Sequence, residues 1–158
     1  MLFRSKIYLP RVARPADILV PEAGTIPGGG SETILLVEDD DRVRALACEV
    51  LGEHGYTVLE ARHGSDALDI SQRYHGAIQL LLTDVVMPGM GGRELAGRLR
   101  RHRPQMKILY MSGYTADAIA HHGVLDEGEA FLSKPVLPRM LATKVRETLD
   151  AHRGGTWS

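Results

Sequence analysis

The sequence predicts an α/β domain, a five-stranded parallel sheet with helices on both faces, and three observations carry that reading. From Thr33 onward, short apolar runs alternate five times with longer amphipathic stretches, the pattern of successive βα units. Within the runs apolar residues mostly follow one another without a polar alternation, as strands covered on both faces require. The chain has 158 residues, 44% hydrophobic and 25% charged, which suits one globular domain of ~100 to 200 residues with appendages.

Taken in order, the predicted strands are 33–37, 56–59, 78–83, 107–111 and 130–132. The first helix follows the first strand, with Val43, Leu46, Ala47, Val50 and Leu51 spaced i, i+3, i+4, i+7, i+8 as one apolar stripe. Helical patterns at 65–74 and 92–101 come next, punctuated by Gly55, Gly64 and Pro104. A short fourth helix is expected at 115–120, before an irregular turn with Gly123, Asp126 and Gly128. The last helix is marked by Leu141, Val145 and Leu149. Residues 1–30 hold four of the eight prolines and end in Gly28-Gly29-Gly30, the composition of a linker. The predicted organisation is a linker at 1–30, a domain at 31–152 and a flexible tail at 153–158 that includes Trp157.

Composition also excludes. Nineteen Lys and Arg against twenty Asp and Glu give a net charge of -1, so no basic excess calls for nucleic acid or an anionic membrane. Arg98, Arg100, Arg101, His102 and Arg103 form a local cluster that reads as a solvated helix end. Cys48, the single cysteine, rules out an internal disulfide framework and reads as an inert thiol beside the first apolar stripe. The longest apolar runs, such as 34–37, have four residues, against the ~18 that span a bilayer. Pro10, Arg11 and Arg14 interrupt any signal-peptide core. A cytoplasmic, monomeric protein is expected.

In parallel α/β sheets, functional groups gather at the carboxyl ends of the strands. Here these ends carry Glu38-Asp39-Asp40-Asp41, then Asp84, then Ser112, then Ser133-Lys134. Carboxylates brought together repel and are stabilised in ionised form by a cation. Mg2+, a hard oxygen-seeking ion, fits such a set. An aspartate beside it can attack phosphorus and become an aspartyl phosphate. The competing reading is local: Asp favours helix N-caps, Asp84 before Met87-Pro88-Gly89 can serve a turn, and Lys134-Pro135 can be a strand exit. Joint placement at four strand ends favours chemistry.

The segments Ile34–Asp40 (ILLVEDD), Leu82–Gly92 (LTDVVMPGMGG), Met111–Tyr114 (MSGY) and Phe131–Pro135 (FLSKP) closely resemble the receiver domain of bacterial two-component response regulators. The resemblance covers about 32–152 and implies the flavodoxin-like strand order 2-1-3-4-5. It implies Asp84 as phosphoacceptor, and Glu38, Asp39, Asp84 and the Val86 backbone carbonyl as the Mg2+ site. Ser112, Lys134 and Phe131 match the family's switch hydroxyl, phosphate-pairing lysine and switching aromatic. Val86 and Tyr114 fall where the family has its dephosphorylation gatekeepers, and a cis peptide is implied before Pro135.

The pattern is most similar to receivers fused to hybrid sensor histidine kinases, and Lys6–Val12 resembles the final strand of a kinase ATP-binding domain. A histidine kinase or histidine phosphotransfer protein is then the implied partner. No nucleic acid partner is expected, since too few residues follow 152 for a recognition helix. The alternatives are a stand-alone regulator or phosphate sink. An aspartyl-phosphate phosphatase of the haloacid dehalogenase type is disfavoured, because its general-acid position is Val86 here. A flavodoxin is disfavoured because Glu38–Asp41 would repel the flavin phosphate.

Overall fold

The computed structural model describes residues 28–113 and 129–151. The order of elements is β1 (Thr33–Val37), α1 (Asp41–Glu53), β2 (Thr57–Ala61), α2 (Gly64–Arg73), β3 (Leu80–Asp84), α3 (Gly92–Arg100), β4 (Lys107–Ser112), β5 (Ala130–Ser133) and α4 (Pro138–Asp150). All pairings are parallel, in the order β2-β1-β3-β4-β5. The predicted helix at 115–120, Tyr114, Lys6–Val12 and the tail lie outside the described residues.

The unalternating runs follow from strand geometry. Successive side chains leave opposite faces of a strand. In β1, Ile34 and Leu36 enter one core with α1 and α4, while Leu35 and Val37 enter a second with α2 and α3. β3 and β4 divide the same way, Leu80, Leu82, Leu109 and Met111 going one way and Leu81, Ile108 and Tyr110 the other. The outer strand β2 is covered less, with Thr57 and Glu60 exposed.

Three details differ from the periodicity reading. β2 begins at Thr57 and runs to Ala61, in register with all of β1; Tyr56 stands in the preceding turn, its N–H donated to the Leu51 carbonyl. β3 starts at Leu80, although Ile78 is buried in the second core. Leu46 is 36% exposed, because it sits about 100° round the helix from Ala47 and Ala47, Val50 and Leu51 make the buried face.

The glycine run ends against the domain. Gly30 N–H donates to the His54 carbonyl at 3.0 Å, and a Cβ on Gly29 would stand 1.7 Å from that oxygen. Gly55, with φ of +91°, supplies the left-handed turn that brings His54 there. Arg146 of α4 then ties the entry of the chain to the sheet, donating to both Glu32 carboxylate oxygens and to the Tyr56 hydroxyl.

Candidate functional site

The site lies where β1, β3, β4 and β5 end. β1 gives out at Val37, and the next residues belong to a tight strand-to-helix junction. Asp40 is the N-cap of α1, accepting the N–H groups of Arg42 and Val43 at 2.9 and 3.1 Å, which holds its carboxyl below the usual range. Asp41 instead pairs with Arg44 and Arg62. The local reading of the acidic run therefore holds for its second half. Asp40 and Asp41 serve the helix, and Glu38 and Asp39 face the sheet edge with Asp84.

Glu38, Asp39 and Asp84 each place one carboxylate oxygen within 4.8 Å of the others. Glu38 is fully buried, Asp84 is nearly so, and Asp39 is exposed. Between the two buried acids stands Lys134, its ammonium 2.8 Å from Glu38 Oε2 and 2.5 Å from Asp84 Oδ2. Asp84 Oδ1 accepts the Val86 N–H at 3.1 Å, and Glu38 Oε1 accepts the Asp40 N–H at 3.0 Å. Glu38 Oε2 meets the Lys134 ammonium at 2.8 Å and accepts no further hydrogen bond among the described residues.

Burial pushes the Glu38 carboxyl above its ordinary range, although Lys134 and the Asp40 N–H pull the other way. For Lys134, burial is the largest single influence and favours the neutral amine, but the hydrogen bonds and charges of Asp84 and Glu38 together outweigh it and raise its pKa. The ammonium is thus fixed in its charged form between two acids. Three carboxylates gathered at one strand edge, two of them buried beside the Lys134 ammonium, offer the oxygen donors that a hard cation takes, so the residues present fit Mg2+.

Each remaining candidate among the described residues has a defined place. Asp84 pairs with Met111 across β3 and β4, so Ser112, buried to 1% exposure, ends the strand beside the acid. The Ser112 carbonyl accepts the Lys134 N–H at 2.8 Å, joining β4 to the lysine's own loop. Phe131, opposite Tyr110, is half-buried against the second core. The Val86 side chain is 63% exposed. Lys134-Pro135 is cis. Gly92 is packed against the end of β3: a Cβ there would stand 2.1 Å from the Asp84 carbonyl oxygen.

Two contributors escaped the sequence reading. Arg44 donates to the Glu38 carbonyl at 2.8 Å; its spacing from Asp41 signals an ion pair but not this contact. Arg103, grouped with a basic cluster, is used internally: it donates to the carbonyls of Ser71, Tyr74 and Gly76 and to the Ser71 hydroxyl. A groove of about 990 Å³ lies between α2 and α3, and none of the acid-cluster residues lines it.

Residues 34–146 match the family of the response regulator receiver domain. The chain belongs to that family. This receiver is 39% identical over 153 residues to the sensor kinase CckA of Brucella abortus (strain 2308), a match covering 92% of this chain and 16% of the kinase. It is 36% identical over 118 residues to the response regulator receiver protein CpdR of the same organism, covering 75% of this chain and 97% of that protein. Among solved structures, the receiver domain from the hybrid histidine kinase CckA is 38% identical with a TM-score of 0.63, covering 74% of this chain and 98% of that one. The chain therefore spans about one sixth of the kinase it resembles. Among the described residues of this receiver, no helix is long and apolar enough to cross a membrane.

Proposed function

We propose that this receiver accepts a phosphoryl group from a phosphohistidine onto Asp84, with Mg2+ held by Glu38, Asp39, Asp84 and the Val86 carbonyl, and passes the change on through altered protein contacts. The observation that carries this is the Glu38, Asp39 and Asp84 cluster, gathered within 4.8 Å and bridged by the Lys134 ammonium. In the transfer, an Asp84 carboxylate oxygen forms the new bond to phosphorus as the phosphorus–nitrogen bond to imidazole breaks. The leaving nitrogen keeps the electron pair, and imidazole ends protonated in water. Mg2+, when bound, neutralises the carboxylates and the incoming phosphoryl oxygens.

The chain's own residues do the rest. The Val86 N–H orients the Asp84 carboxylate through Oδ1. Lys134 already balances that carboxylate and is placed to turn its charge to the arriving oxygens. Ser112, at the adjoining strand end, can donate its hydroxyl to a phosphoryl oxygen. If it is drawn inward, Phe131 gains room to move from its half-buried position, reshaping the face around β4 and β5.

A second proposal concerns context: the chain is the receiver module of a hybrid histidine kinase in the cytoplasm, with residues 1–30 as the linker from the preceding domain. Supporting it, the match to the sensor kinase covers 92% of this chain, more than the receiver itself contains. The partner is then a histidine kinase or a histidine phosphotransfer protein, met as a monomer, with no nucleic acid involved. The match to CpdR over 97% of that protein favours the rival, a stand-alone regulator or phosphate sink. Acetyl phosphate with Mg2+ should add one phosphoryl group by intact mass. Equal labelling of Asp84→Asn, or full labelling in excess chelator, would overturn the site.

A further inference from the structure

We propose that Arg44 is a positioning residue for the cation site, holding the peptide plane from which both Glu38 and Asp39 depart; this rests on the phosphoacceptor reading above. β1 ends at Val37, so the Glu38 carbonyl has no strand partner, and Arg44 Nη1 supplies its hydrogen bond at 2.8 Å. That carbonyl belongs to the planar unit running from the Cα of Glu38 to the Cα of Asp39. Fixing its oxygen fixes the directions in which both carboxylates leave the backbone. The Glu38 N–H, bound to the Ala61 carbonyl at 3.1 Å, anchors the preceding plane.

The guanidinium is itself aimed. Its Nη2 meets Asp41 Oδ1 at 2.5 Å on α1, and its Nε stands 3.6 Å from Glu60 Oε1 on β2. The side chain is only 12% exposed, whereas Arg62, paired to the same Asp41 at 3.0 Å, is 59% exposed. One planar fork therefore bridges the strand-to-helix junction, the helix and the edge strand. A lysine cannot reproduce this with one point donor. Groups that orient metal ligands from behind alter metal affinity without touching the ion.

Charge and position predict opposite signs. Removing a nearby positive charge, taken alone, tightens binding of a divalent cation. Releasing the Glu38–Asp39 peptide weakens it. The test is a titration of the full chain with MgCl2, followed by backbone amide shifts, on the wild type, Arg44→Met, Arg44→Lys and Arg62→Met. Arg44→Met, which keeps the apolar stem, should raise the Kd for Mg2+ roughly tenfold. Arg62→Met should leave it unchanged or slightly tighter. Arg44→Lys, with charge kept and the fork lost, should fall with Arg44→Met, and it decides the matter if Arg44→Met does not fold. A lowered Tm alone would mark a merely structural arginine. Mg2+ affinity in either Arg44 variant equal to or tighter than wild type overturns the inference while leaving the phosphoacceptor reading intact. A wild-type chain that binds no Mg2+ overturns both.

Discussion

Replacing Lys134 by Met removes the one cation that, among the described residues, the two buried carboxylates share. Glu38 is fully buried and Asp84 nearly so, and breaking a buried ion pair by deleting one partner costs about 3–5 kcal/mol because the other charge is stranded. The Lys134 side chain is 23% exposed and that of Asp84 10%, so solvent screening reduces the figure to about 2–3 kcal/mol. For a domain of roughly 100–120 residues, at about 4 °C per kcal/mol, the Tm should fall by about 8–12 °C. The assay is thermal unfolding by circular dichroism at pH 7.5 with chelator present. Lys134 has a raised pKa when folded, so its contribution is complete below the unfolded lysine value and is lost only as pH rises through the folded value. Glu38 is raised too, mainly by burial. For a carboxyl this costs stability at neutral pH, and the cost is recovered as pH falls through the folded value towards 4.5. Without Lys134 to oppose burial that cost grows. The variant's deficit should therefore shrink as pH is lowered to about 5, and added Mg2+ should raise the variant's Tm more than the wild type's. A variant melting within 2 °C of wild type at pH 7.5 in chelator, by the same ~4 °C per kcal/mol, would refute the view that Lys134 compensates these acids.

Gly92→Ala should cost at least about 2 kcal/mol and slow labelling of Asp84, since its Cβ would stand 2.1 Å from the Asp84 carbonyl oxygen. Gly97→Ala, exposed on the same helix with nothing near its Cβ, should instead raise stability by about 0.5–1 kcal/mol; paired thermal melts compare the two. The Cys48 thiol, pushed up to about 12 by burial and then by Glu60, should react with iodoacetamide at pH 8 far more slowly in the folded chain than in denaturant. Val86→Asn places an amide at a 63% exposed residue whose backbone N–H donates to Asp84 Oδ1, so it should shorten the phosphoryl lifetime several-fold by orienting the attacking water, as followed by loss of label over time.

The fold was legible because its central strands are buried twice. Ile34 to Val37 and Leu80 to Leu82 have no polar face to interrupt them, and alternation of such runs with amphipathic helices is what a parallel sheet between two helical layers asks for. The same logic blurred the edges. β2 carries exposed Thr57 and Glu60, so the apolar run at 56–59 marks where the core touches the segment and not where the hydrogen-bonded ladder begins. Tyr56 is buried yet stands outside the strand, and Leu46 follows the helical period yet lies on the rim of the stripe.

The site was legible as residue types at strand ends, and it became ambiguous where one carboxylate type serves several tasks. Four acids in succession, Glu38 to Asp41, differ in role by backbone position alone. The first is buried beside the Lys134 ammonium, the next is exposed at the edge, the third has the extended φ and ψ that let its side chain cap a helix, and the fourth is on the helix. No spacing rule separates these roles, because the chain changes direction within three residues. Arg44 shows the same limit from the other side. Its partner at Asp41 is a helical neighbour and predictable, but its bond to the Glu38 carbonyl exists because β1 stops one residue before the acids begin. The register that ends the strand therefore both frees that carbonyl and presents the acids, and the fold supplies an arginine where the sheet can no longer supply a hydrogen bond.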